Sequence, residues 1–217
     1  MTEMDTKVRI KVDGKEIEAN EKDNLLRVCL ENGIYIPNLC YMEGMEAPPV
    51  SCRLCFVEIE GGKGPVSSCT VKVSDGLVVF TETEEVRRLQ RTALEFLLST
   101  HRVDCAHCPA NKKCEIQKLA KFLKVGLKSE AYNKYLKQDE LDDTHPKLNY
   151  YPNRCVLCGR CVYVCSGKDK SVLSFARRGL ETVISFYGQE DSLTCDACGE
   201  CVKVCPVKAL TLKEGDS

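Results

Sequence analysis

The sequence predicts an α+β protein built from small cysteine-rich modules. Three observations carry that expectation. Sixteen of the 217 residues are cysteine. The N-terminal part shows strand-like alternation, then a helix-like stretch, then alternation again. Towards the other end one cysteine pattern occurs twice, as "CVLCGRCVYVCS" from Cys155 and as "CDACGECVKVCP" from Cys195.

The elements follow in order. Val8 to Ala19 alternates around Asp13-Gly14, a two-residue hairpin signal. In "DNLLRVCLENG" Asp23 or Asn24 can cap a helix, Leu25/Cys29 and Leu26/Leu30 stack at i,i+4, and Gly33 ends it. "CFVEIE", "SCTVKV" and "LVVF" read as strands with "GGKG" as a turn. Two strands, a helix and further strands make a β-grasp domain over residues 1–80. "TETEEVRRLQRTALEFLLST" reads as a helix, with Thr81 and Glu84 as its capping box and Val86, Leu89, Ala93, Phe96 and Leu97 as its apolar face. A further helix follows Cys114, with Ile116, Leu119, Ala120 and Leu123 inward and Gly126 as its stop. Lys137 to Lys147 is charged, ends beside Pro146 and reads as a linker. The second module is therefore a small helical one at 81–145, and the third spans 146–217. In the third, "VLSFA" and "ETVISFYG" flank Arg178-Gly179 as a pair of short strands.

Composition narrows the class. Formal net charge is -1, so no overall field points to nucleic acid or an anionic membrane. The apolar runs are too short to span a bilayer. The polar start "MTEMDTKVRIKVDG" lacks a basic region followed by an apolar one, so no secretory signal is expected. A cytoplasmic protein follows, and there thiols stay reduced and grouped cysteines bind metal.

The duplicated pattern is the strongest signal. Each copy is C-x2-C-x2-C-x3-C, and the second ends in Pro206 while the first has Ser166 at that place. Three cysteines at this spacing wrap one corner of a cubane and the fourth points away, which is the ligation of two-cluster ferredoxins. Cys155, Cys158, Cys161 and Cys205 are expected to hold one [4Fe-4S] cluster; Cys195, Cys198, Cys201 and Cys165 the other. A pair of structural zinc sites is the competing reading.

Cys40, Cys52, Cys55 and Cys69 stand at C-x11-C-x2-C-x13-C. The first gap is longer than in plant-type ferredoxins, so this is a variant loop. Inside a β-grasp domain it reads as a [2Fe-2S] site; four buried free thiols are the alternative. Cys105, Cys108 and Cys114 form a third group with His101 four residues before the first. Three thiolates need a fourth ligand. His101 fits from the helix end, and His107 competes from inside the loop, where its side chain more naturally points outward. Cys29, on an apolar helix face, reads as a small buried hydrophobe.

With these residues in place the chain resembles a known family. H-x3-C-x2-C-x5-C after a variant [2Fe-2S] domain looks like the N-terminal region of the complex I large iron-sulfur subunit. With both ferredoxin quartets kept and "ARRGLETVISFYG" before the second, it is more similar to the iron-sulfur (diaphorase-type) subunits of multimeric NAD(P)-linked hydrogenases, electron-bifurcating ones included, and to the accessory region of [FeFe] hydrogenases. The likeness covers about Val8 to Leu212. It implies one [2Fe-2S] at Cys40/Cys52/Cys55/Cys69 and [4Fe-4S] at His101/Cys105/Cys108/Cys114. It also implies electron relay between a flavin-containing NAD(P)H subunit and a separate catalytic subunit, a hydrogenase or a formate dehydrogenase.

No G-x-G-x-x-G or G-x-x-x-x-G-K-[ST] loop marks a nucleotide or flavin site. No further cysteine-cluster domain and no spare cysteine pair for nickel are expected. The chain reads as a conductor with no catalytic residues of its own. Lys112, Lys113, Lys118, Lys121, Lys124 and Lys128 crowd one segment. They read either as a solvated face or as a docking patch for an acidic partner such as a soluble ferredoxin. A zinc-binding scaffold is the rival of a different class, and a free electron carrier is a third reading.

Overall fold

The computed structural model describes residues 6–128, 135–137, 140–167, 171–187 and 195–213. The chain forms two compact units, Met1–Leu94 and Glu95–Ser217.

The first unit is a five-stranded sheet under one helix. Strands β1 (Lys7–Val12) and β2 (Lys15–Asn20) pair antiparallel with Ile10 opposite Ile17. Asp13 and Gly14 both take positive φ, 48° and 83°, which gives the turn the twist that a two-residue hairpin needs. Helix α1 (Leu25–Glu31) follows, then β3 (Phe56–Ile59), β4 (Val66–Ser67) and β5 (Val78–Phe80). The order is β2-β1-β5-β3-β4. Only the β1/β5 pair is parallel, with Lys11 opposite Val78. That is the β-grasp arrangement expected from the element order.

Alternation decides the core. Val8, Ile10 and Val12 of β1, with Ile17 and Ala19 of β2, are buried while their neighbours face water. Leu25, Leu26, Val28 and Cys29 of α1 pack on them. Each fully buried leucine contributes roughly 1.5–3 kcal/mol relative to exposure. Asn24 caps α1 by accepting from the Arg27 amide at 3.1 Å. Its other side-chain atom, Nδ2, donates to the Cys69 carbonyl at 2.6 Å, so the cap also anchors a cysteine loop.

Three sequence expectations in this unit need correction. "SCTVKV" is not one strand: after β4 the chain closes a 3-10 turn at Ser68–Thr70, which turns the Cys69 side chain inward. Helix α2 (Glu84–Ser99) is capped by Thr83, whose Oγ1 accepts from the Val86 amide at 3.2 Å. Thr81 is engaged elsewhere, donating through its amide and hydroxyl to the Asp13 carboxylate. On α2 the buried positions are Val86, Gln90, Ala93, Leu94 and Leu98, while Phe96 is 71% exposed.

In the second unit, α3 (Glu115–Leu123) buries the four apolar residues expected of it. It stops three residues before Gly126, at Leu123, and the next residue, Lys124, takes the left-handed conformation, φ 56°. Strand β6 (Leu148–Tyr150) pairs with β9 (Leu210–Leu212), a contact the sequence did not announce. The expected pair about Arg178-Gly179 is present as β7 (Leu173–Ala176) and β8 (Val183–Phe186). Helices α4 (Arg160–Ser166) and α5 (Glu200–Lys203) each begin after a left-handed glycine, Gly159 at φ 79° and Gly199 at φ 73°. Two residues before each glycine, Leu157 (52°) and Ala197 (55°) are left-handed too. The repeat is therefore one of backbone shape as well as of residue type. The segment read as a linker is partly structured, with Asp142 bridging to Tyr150 and His145 buried. Its residues 138 and 139 lie outside the described ones.

Candidate metal centres

The first unit gathers its four cysteines from three loops. Cys40, Cys52, Cys55 and Cys69 are all buried. Left-handed Arg53, φ 53°, bends the chain between Cys52 and Cys55, and Leu54 at its inner side is fully buried. The Cys55 carbonyl accepts from both the amide and the hydroxyl of Ser68 at 2.9 Å, which ties the Cys55 loop to the Cys69 loop. The thiols meet in two hydrogen-bonded pairs. Cys52 donates to Cys40, which pulls Cys40 below a free thiol and drives Cys52 up, with burial adding to the rise. Cys69 donates to Cys55 with the same consequence. The two pairs also feel each other's charge. Such a set resists full ionisation unless a cation balances it, as a metal does.

In the second unit Cys105 opens a 3-10 turn, Cys105–His107, and Cys114 sits at the N-cap of α3. The free amides of Ile116 and Gln117 hydrogen-bond the Cys114 sulfur, although burial still raises its pKa overall. Cys105 and Cys108 are near enough to act on the same thiol. His101 is buried, and its Nδ1 lies 2.7 Å from the Arg154 carbonyl oxygen. A carbonyl can only accept, so Nδ1 carries the proton and Nε2 keeps the lone pair that a metal ligand requires. Burial also lowers the His101 pKa and holds the ring neutral. The bonded contacts of His101 run to Leu98 and Arg154, not to the three thiols. His107 points outward, its side chain 82% exposed and bonded to Asp104. His145 has the opposite tautomer to His101: its Nδ1 accepts from the Lys147 and Leu148 amides at 3.1 Å, so Nε2 bears the proton.

Cys155, Cys158, Cys161 and Cys205 line one cavity of about 330 Å³, its mouth included, otherwise walled by apolar residues such as Ile184, Val207 and Leu210. Burial raises the Cys155 thiol, pushes Cys158 up to about 12 and raises Cys161. Backbone amides reach these sulfurs: Leu157 N–H to Cys155 at 3.4 Å and Ala209 N–H to Cys205 at 3.1 Å. Around Cys201, pushed up to about 12 by burial, stand Cys195, Cys165 and Cys198. Cys165 in turn accepts from the Val172 amide at 3.3 Å. The structure thus brings together the two crossed quartets of the sequence reading. One detail differs: Cys165 lies on α4, whereas Cys205 lies just beyond α5. Among the described residues no three His, Cys, Asp or Glu side chains are set to hold a single metal ion.

Three family models match successive stretches of the chain. Residues 5–84 match the 2Fe-2S iron-sulfur cluster binding domain. Residues 90–127 match the NADH-ubiquinone oxidoreductase-G iron-sulfur binding region, and 145–211 the ferredoxin-like domain of NADH-quinone oxidoreductase subunit 3. The solved NAD+-reducing [NiFe]-hydrogenase in the H2-reduced state contains a chain with TM-score 0.84 and 30% identity, over 95% of this chain and 88% of that one. The chain belongs to the iron-sulfur subunit family of NAD(P)-linked hydrogenases and complex I.

Other members of this family are longer. NADP-reducing hydrogenase subunit HndD of Solidesulfovibrio fructosivorans is 34% identical over 94% of this chain and 36% of its own length. NADPH-Fe(3+) oxidoreductase subunit alpha of Geobacter sulfurreducens is 32% identical over 95% of this chain and 24% of its own. The 75 kDa subunit of NADH-ubiquinone oxidoreductase of Reclinomonas americana is 33% identical over 95% and 29%. The chain thus spans a quarter to about a third of the curated relatives it matches. As an iron-sulfur subunit of this family it carries a [2Fe-2S] domain and [4Fe-4S]-binding domains. The donors suit such groups: every set has at least one buried thiol, although Cys198 is exposed, and backbone N–H groups are aimed at sulfur in the helical and ferredoxin-like modules. No helix of the described residues is long and apolar enough to cross a membrane.

Proposed function

We propose that the chain relays electrons between a flavin-containing subunit that oxidises or reduces NAD(P)H and a separate catalytic subunit, a hydrogenase. The observation that carries this is the pair of crossed cysteine quartets, one of them lining a single cavity with mostly apolar walls. An electron relay needs sites close together in a low-dielectric matrix, and crossed ligation puts two side by side.

In this reading one [2Fe-2S] is held by Cys40, Cys52, Cys55 and Cys69. Three [4Fe-4S] are held by His101/Cys105/Cys108/Cys114, by Cys155/Cys158/Cys161/Cys205 and by Cys165/Cys195/Cys198/Cys201. Domain limits of 1–80, 81–145 and 146–217 go with them. When bound, such clusters supply one-electron donor and acceptor sites. The protein's part is to ionise the thiols, exclude water and aim amides at sulfur. Imidazole is neutral where thiolate is negative, so His101 raises the potential of its cluster and makes it an electron sink within the chain. The six lysines around α3 are exposed and offer a soluble ferredoxin or another acidic partner a docking face.

An NAD(P)-dependent formate dehydrogenase would use the same relay. Affinity purification from the native host under anaerobic conditions separates the readings. Recovery with a flavoprotein and a hydrogenase catalytic subunit is the expected result. A formate dehydrogenase in its place selects the alternative, and recovery of a zinc-loaded chain alone sinks the relay.

A further inference from the structure

Tyr150 is among the largest fully buried side chains, 1% exposed, and stands in the wall of the cavity that Cys155, Cys158, Cys161 and Cys205 line. Its backbone is held on both sides. Tyr150 pairs with Leu210 of β9, and it exchanges two hydrogen bonds with Asp142, at 2.7 and 2.8 Å. The ring therefore has little freedom to turn away. The phenolic oxygen accepts from the Ile184 amide at 3.2 Å. A phenol has one proton and it is not used there, so it is free for a second partner. That partner is the Cys155 sulfur, which shares the cavity wall with Tyr150 and to which a side-chain hydrogen bond runs.

We propose that Tyr150 is a positioning residue that donates its phenolic proton to the Cys155 sulfur and thereby raises the reduction potential of the cluster held there. The inference rests on the cluster assignment proposed above. Its physics is simple. Reduction adds negative charge, part of which falls on the ligand sulfurs. A donor aimed at one of them stabilises the reduced form more than the oxidised form. Both side chains are buried, so the interaction is screened little. The equivalent stretch before the companion quartet, Glu190 to Thr194, includes no tyrosine. Two clusters with the same cysteine spacing are thus made unequal by one hydroxyl, and an electron arriving at the pair settles first on the Tyr150 side.

The test uses the full chain, reconstituted anaerobically, with Tyr150→Phe and with 3-fluorotyrosine placed at position 150. Iron and sulfide content and the visible spectrum report loading. Potentiometric titration followed by electron paramagnetic resonance reports each midpoint. Tyr150→Phe is expected to keep its iron and to shift one [4Fe-4S] midpoint negative, leaving the others in place. The fluorinated phenol is more acidic and donates more strongly, so it is expected to move the same midpoint positive. Unchanged midpoints in both variants, at full iron content, overturn the proposal, as does a lower melting temperature without a shift. If Tyr150→Phe loses iron, the fluorotyrosine chain decides alone. A wild-type chain that takes up no four-iron clusters overturns the assignment and the tyrosine's role together, and that outcome is visible before any variant is made.

Discussion

Histidine chemistry shows how much one hydrogen bond decides. The chain has three histidines, and each is in a different state. His107 is exposed and paired to Asp104. His145 is buried with its proton on Nε2, and that atom has no partner. His101 is buried with its proton on Nδ1. Only the last keeps an Nε2 lone pair in a water-excluded place. Two outcomes follow for the proposed ligand. His101→Cys should keep its iron and shift that cluster's midpoint negative, because a thiolate adds charge. His101→Ala should lose that cluster first on exposure to a chelator. Redox titration and iron counting check both, and a cluster disturbed by His107→Ala instead would make His107 the ligand. His145 makes a separate prediction about pH. Burial lowers its pKa first, with Lys213 and Lys147 adding to that effect and Asp142 opposing it. The folded value thus lies below the unfolded one, about 6.5. Its stabilising contribution is present above pH 6.5 and is lost as pH falls through that value, because the unfolded chain then binds the extra proton. The slope is at most about 1.4 kcal/mol per pH unit. His145→Asn keeps a polar acceptor without titrating. Melting curves of the holo chain from pH 7.5 to 5 should therefore be flatter for this variant; an equal slope would remove His145 from the acid limb.

At the scale of elements, what could be read from the sequence was what local physics fixes. The Asp13-Gly14 turn demands positive φ, and few residue pairs supply it so readily. The faces of α1 and α3 come from 3.6-residue spacing, and all four inward residues of α3 are buried. Errors arose where a distant partner chose between equal candidates. Thr81 and Thr83 are both good caps, but Asp13, far away in sequence, binds Thr81 and leaves Thr83 to the helix. The β6–β9 pair joins three-residue strands some sixty residues apart, too short for alternation to register. Gly126 looked like the stop of α3, but the helix closes at Lys124, whose amide already bonds the Ala120 carbonyl. The cysteine quartets were legible because their spacing is itself the geometry. The Tyr150 contact was not, since nothing near position 150 distinguishes a core tyrosine from a donor. The cap correction is testable. Thr83→Ala should cost about 1 kcal/mol of stability. Asn24→Ala should cost more, because it removes both the α1 cap and the bond to the Cys69 carbonyl. Denaturant midpoints measure the difference, and a smaller loss for Asn24→Ala than for Thr83→Ala would count against the anchoring role.

For the molecule as a whole the cysteine inventory fits the proposed relay. Every cysteine but Cys29 belongs to one of the four proposed sets, and Cys29 is fully buried with its thiol pushed up to about 12 by burial. A thiol in that state is a poor ligand and a poor nucleophile. Filled, the four sets hold about fourteen iron atoms per chain, two in the [2Fe-2S] and four in each cubane. Zinc near four equivalents with little iron would instead mark a scaffold. The sequence also contains no glycine-rich phosphate loop where NAD(P)H or a flavin would bind. Dithionite should therefore bleach the visible absorption of the isolated, flavin-free chain, while NADH and NADPH should leave it nearly unchanged over seconds. Adding the proposed flavoprotein partner should make the same bleaching depend on nucleotide, since hydride can then be split into single electrons before it reaches the clusters. Cys158→Ser and Cys198→Ser should each damage one C-terminal cluster. Nucleotide oxidation by that flavoprotein should survive both, while delivery to the proposed catalytic subunit should fail in whichever variant breaks the main route. A stopped-flow trace decides the central point: rapid bleaching of the lone chain by NADH would mean that it binds nucleotide itself and is more than a wire.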